Sequence, residues 1–121
     1  MRAAFFLLPA IAAVAGAAVA ADPHPASLAG VYDGGQMELA SGLELSKDGK
    51  FRFVLSYGAL DEAAAGTWSA AGDAVTLNVQ QYESNDPRST GKFGLSVLKI
   101  EDGNLILPRH DRVLRFSKQG K

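Results

Sequence analysis

From Lys50 to Tyr57 the chain alternates strictly, with Phe51, Phe53, Leu55 and Tyr57 on one parity and Arg52, Val54 and Ser56 on the other. A period of two predicts a strand with one buried face. Leu43 and Leu45 alternate in the same way with Glu44 and Ser46. The two runs are joined by Lys47-Asp48-Gly49-Lys50, a hairpin signal because glycine accepts the positive φ of a tight turn. Downstream, Val75, Leu77 and Val79 follow a turn at Gly72-Asp73, and Glu101-Asp102-Gly103-Asn104 separates two further apolar runs. Leu114 and Phe116 share one parity of the last run, with Val113 and Arg115 on the other. Phe93, Leu95 and Val97 share a parity but Leu98 and Ile100 take the opposite one, which predicts a bulge or a stretch covered on both faces.

The turns divide the chain into eight strands: near Gly30 to Asp33, Met37 to Ser46, Lys50 to Tyr57, Ala63 to Ser69, Ala74 to Gln80, Lys92 to Glu101, Leu105 to Arg109 and Arg112 to Ser117. Short strands joined in sequence order by hairpin-length turns predict an all-β, antiparallel up-and-down meander. Eight of them can close into a small barrel, which removes exposed edges. Composition tolerates a helical turn only around Ser27 to Ala29 and in Asp61-Glu62-Ala63-Ala64-Ala65.

Ahead of the alternating region stand Met1-Arg2, an apolar run from Ala3 to Ala20 broken only by Pro9 and Gly16, and the small residues Ala18-Val19-Ala20. A basic start, an apolar middle and a small-residue end are the parts of a cleaved export signal. A membrane anchor is disfavoured by the alanine content of the run and by the lack of a basic stop-transfer cluster after it. The expected plan is therefore a signal peptide over 1–20, a flexible leader over 21–27 and a barrel domain over 28–121, located in the periplasm or secreted. Without the signal, 101 residues remain, enough for one core and too few for two. Cysteine is absent, so disulfides, thiolate metal sites, a cysteine nucleophile and a lipid-modified cysteine are excluded.

Charge changes the picture more than composition does. Asp22 to Pro87 carries ten acidic and three basic residues, and Arg88 to Lys121 carries three acidic and eight basic. The preferred reading is neutralisation between neighbouring strands, since a domain that binds nucleic acid is usually basic throughout. Metal binding fails on its ligands: an amino-terminal copper site at His24 needs a backbone amide that Pro23 lacks, and His110 has no spaced partners. No Gly-x-Ser-x-Gly elbow or phosphate loop is present. Asp61 and Glu62, adjacent in sequence, would point to opposite faces of a strand and could not flank one bond; a solvated turn is the preferred placement for them. No enzymatic activity, cofactor or metal is predicted.

Binding remains. Tyr57 and Trp68 at one mouth, with Asp61 on the rim, would line a shallow pocket for a small apolar or amphipathic ligand, although side chains fill most eight-stranded interiors. The second candidate is the loop Gln81 to Gly91, in which Tyr82, Asp86 and Arg88 would contact a protein partner.

Leu28-Ala29-Gly30-Val31-Tyr32, the Asp48-Gly49 hairpin, Gly66-Thr67-Trp68 and an arginine in the last strand resemble the small bacterial barrels of the calycin type. These include lipocalin-like proteins and the barrel domain of envelope-stress lipoproteins linked to copper resistance. The resemblance implies that Tyr32 takes the place of the first-strand aromatic, with Arg112 or Arg115 opposite. It also implies an exported protein that binds a small ligand or senses an envelope condition. The chain departs from the pattern in being shorter than a lipocalin and in lacking the lipoproteins' anchor and paired cysteines. The competing expectation is an inhibitor of an exported protease or lysozyme that acts through a loop or the N-terminal segment.

Overall fold

A computed structural model describes residues 22–86 and 93–120. The proposed signal peptide and Arg88 lie outside the described residues. Eight strands run β1 (Gly30–Asp33), β2 (Leu39–Leu45), β3 (Lys50–Tyr57), β4 (Leu60–Ala71), β5 (Ala74–Ser84), β6 (Ser96–Glu101), β7 (Asn104–Arg109) and β8 (Arg112–Lys118). Each pairs antiparallel with its sequence neighbours, and β1 meets β8 to close the barrel. That last seam is short, holding Tyr32↔Lys118 and Asp33↔Ser117, and Gln119 N–H extends it by donating to Val31 O at 2.7 Å.

The turn chemistry is as the sequence implies. Asp102-Gly103 and His110-Asp111 are two-residue loops with positive φ at both positions, the backbone that matches strand twist. His110 and Asp111 hold it without glycine, at φ 53° and 59°. Gly49, at φ 90°, closes the longer β2–β3 loop.

The inner parity of each strand builds one core. Trp68, Tyr32, Phe51, Phe53 and Phe116 are fully buried, together with seven leucines. Each such side chain contributes roughly 1.5–3 kcal/mol relative to exposure. Phe53 stands edge-on to Phe93 and Phe116, with centroids 5.2 and 6.4 Å apart.

Three expectations need correction. Asp61 to Ala65 form no helical turn; they belong to β4, where they pair along β3. Gln81 to Ser84 are not loop, because β5 continues to Ser84. Residues 22–27, ahead of the barrel, lie against it: Pro23 O accepts the Ala70 N–H at 2.8 Å and Ser27 O accepts Lys118 Nζ at 2.9 Å. Finally, Leu95 and Val97 face outward while Leu98 points into the core, and Phe93 reaches inward from the connection before β6 begins.

One irregularity shapes the upper half of the wall. Between Ala65 and Gly66 the β4–β5 register shifts, so that Gly66 faces Val79 and Ala65 faces Gln81, leaving Gln80 as an extra residue. Below this bulge the inward residues of β5 are odd-numbered; above it Tyr82 is the one packed against the core. A Cβ at Gly66 would lie 2.0 Å from Asn78 O, so the bulge requires glycine opposite it.

Candidate functional site

The strand directions define two ends. The upper end holds residues 34–38, 58–59, 85–86, 93–95 and 110–111; the lower holds 46–49, 72–73, 102–103 and the described residues before β1 and after β8. β6 is short. Its ladder with β5 reaches up only to Leu77↔Ser96, and its ladder with β7 only to Lys99↔Ile106. Among the described residues, the upper wall between β5 and β7 is therefore completed by side chains instead of by strand pairing.

Glu62 of β4 is the centre of that closure, with a side chain buried at 0% exposure. Its Oε1 accepts hydrogen bonds from Arg109 Nε at 2.7 Å and from His110 Nε2 at 3.0 Å. Its Oε2 accepts from Arg109 Nη2 at 2.8 Å and from the Tyr82 hydroxyl at 2.5 Å. A carboxylate can only accept, so His110 must carry its proton on Nε2 here. The Arg109 guanidinium lies 3.9 Å from the Phe93 ring centroid, which seals its other face. β4, β5, β7, the β7–β8 turn and the segment before β6 thus meet at one carboxylate.

Burial on its own pushes the Glu62 carboxyl up, but hydrogen bonds from Arg109, Tyr82 and His110 and the guanidinium charge outweigh it, holding the group below the usual carboxylate range. Burial, together with the carboxylate it serves, pushes the Tyr82 phenol up. Glu62 uses all four of its acceptor positions and has a lowered proton affinity, which makes it a poor general acid or base. The cluster works as a clasp. By contrast, Lys99 and Arg115 reach Glu101 at 3.5 and 3.3 Å on the open surface, where such pairs contribute little.

The residues singled out from sequence do not form one pocket. Tyr57 sits at the upper rim, where its hydroxyl accepts from Arg112 Nε at 3.1 Å and the guanidinium lies 4.8 Å from its ring centroid. Asp61 is at the same end but outside the wall; its Oδ1 accepts from Ser56 Oγ at 2.6 Å. Trp68 is seven residues further along β4, at the lower end, about 23 Å from Asp61 at strand rise. Its Nε1 donates to Ser46 O at 2.8 Å. Of the loop candidates, Tyr82 belongs to the clasp, and Asp86 lies just beyond β5 with its N–H on Ser84 Oγ at 3.0 Å.

The two arginines that the calycin resemblance would set opposite Tyr32 have other partners among the described residues. Arg112 covers Tyr57, and Arg115 pairs with Glu101. The Tyr32 hydroxyl instead donates to Leu28 O at 2.7 Å, and burial pushes that phenol up.

Sequence reasoning weighed Glu62 and His110 and set both aside, and it gave Arg109 no role. A signal for the first existed: Glu62 shares its parity with Trp68, so a strand at 60–71 places the carboxylate inside. Surface grooves lie along the outer face of β3, β4 and β5, over Ala63 and Ala65, and at the upper rim between β2 and β3, beside Leu39 and Tyr57. Comparison of the chain with protein-family models, with curated proteins and with solved structures finds no match.

Proposed function

We propose that the chain is an exported protein-binding barrel of the inhibitor kind, which meets its partner with the outer surface of its upper end. The observation that carries this reading is where apolar side chains go. Inside, among the described residues, twelve large side chains are fully buried, as expected where side chains fill a small eight-stranded interior. Outside, Met37 and Leu95 are 81% and 72% exposed, and Val97 and Val113 are exposed as well. Val113 pairs with the exposed Pro108. Arg112 Nη1 donates to Met37 O at 3.4 Å, and Gln36 Nε2 to Val113 O at 3.0 Å, which tie the β1–β2 connection to the same end. Exposed apolar side chains towards one end of a barrel suit a protein surface.

Native mass spectrometry of the protein from its host's envelope fraction, followed by inhibition assays on exported proteases and lysozymes, tests the proposal. It expects a chain free of any small-molecule mass, and inhibition weakened at least about tenfold by Val113→Asp with unfolding unchanged. A discrete small-molecule mass that survives gentle purification and is lost on denaturation would overturn it.

A further inference from the structure

β4 outruns the strand beside it. Pairing with β3 ends at Lys50↔Thr67, yet β4 continues to Ala71. On that exposed edge, Trp68 N–H donates to Gly49 O at 2.9 Å, and the next backbone donor facing the same way, Ala70 N–H, donates to Pro23 O at 2.8 Å. The leader therefore lies on a strand edge as an added peptide does, with a main-chain bond for affinity and a neighbouring side chain for selectivity.

That side chain is His24. Its ring stands edge-on to Trp68, with centroids 5.2 Å apart. Gly49 leaves the space: a Cβ there would come within 2.8 Å of His24 Nε2. Pro23 and Pro25 bracket the histidine, and a residue before proline is restricted to extended backbone, so the segment is ordered for docking before it arrives. Pro25 O then accepts the N–H groups of Leu28 and Ala29 at 3.0 and 3.3 Å, a tight turn that separates this strap from β1.

We infer that the lower edge of β4 beside Trp68 is an acceptor site for an extended peptide, held in cis by the leader. A partner's segment of the same chemistry, a flat ring between two prolines, takes the leader's place. The existence of the acceptor rests on the geometry above; only the claim that a partner uses it rests on the protein-binding reading. The leader acts as a built-in competitor, so the site binds in trans only when the strap lifts.

Trp68 is the chain's single tryptophan, so its emission reports this end alone. The test is amide hydrogen exchange and fluorescence on the mature protein and on His24→Ala, each with and without the hexapeptide acetyl-Ala-Asp-Pro-His-Pro-Ala-amide. The expected result is an Ala70 amide that exchanges at least about 100-fold faster than that of Leu77, because the strap opens without the barrel. His24→Ala should speed Ala70 further, and excess hexapeptide should then slow it and shift the Trp68 emission. Gly49→Ala with Leu77 protection intact should abolish the peptide response. An Ala70 amide that exchanges in step with Leu77 in both proteins overturns the inference, as does one indifferent to the peptide in His24→Ala. A small-molecule mass on the native protein overturns the upper-end proposal and leaves this acceptor standing.

Discussion

At the lower end the barrel is closed by chain: the leader crosses it, with Leu28 packed against the core and the His24 ring edge-on to Trp68. At the upper end it is closed by charge, with one carboxylate gathering donors from Tyr82, Arg109 and His110 where strand pairing has stopped. The difference teaches how each end should fail. A chain-closed end opens by degrees, because its contacts are few and weak. A charge-closed end cannot lose Arg109 without stranding a carboxylate that water does not reach.

The largest effect should come from breaking the clasp on one side. Arg109→Met leaves Glu62 buried without its ion pair, and urea unfolding should register a loss of about 3–5 kcal/mol. Adding Glu62→Leu to that variant should recover much of it, since no charge then remains to be satisfied.

The same carboxylate predicts a pH dependence. Its folded pKa lies below its unfolded value, so its contribution is present above the unfolded pKa, about 4.3, and is lost as pH falls through the folded one. Unfolding curves should therefore show wild type and Glu62→Gln converging as pH drops below about 5. Parallel curves across that range would remove Glu62 from the account.

At the other end His24→Ala should cost only about 1 kcal/mol, the scale of one edge-on ring contact. Smallest of all, Arg115→Ala should change thermal unfolding by less than about 1 kcal/mol, because its partner Glu101 sits in water on the outer wall. If His24→Ala proved as damaging as Arg109→Met, the contrast between the ends would collapse.

Much of the fold was legible because alternation and turn dipeptides agree: Lys50 to Tyr57 reads as a strand and is one, and Asp102-Gly103 reads as a turn and is one. The clasp was not, for three physical reasons. Asp61-Glu62 followed by alanines has the composition of a solvated turn, and only the length of β4 shows otherwise. Tyr82 lies beyond a bulge, so the parity carried up from Val75 and Leu77 assigns it to the wrong face. Arg109 and His110 approach Glu62 from 47 and 48 residues away, a separation over which local patterning carries no information.

The bulge also carries an implication about tolerated change. Gly66 and Gln80 form a matched pair, one vacating space because the other is inserted. Deleting Gln80 should restore an uninterrupted alternation in which Tyr82 still faces Glu62, and Gly66→Ala should be harmless in that shortened chain yet disruptive in the full one, as paired thermal melts would reveal. At this point in the wall, losing a whole residue is the milder edit, and gaining one methyl group is the harsher.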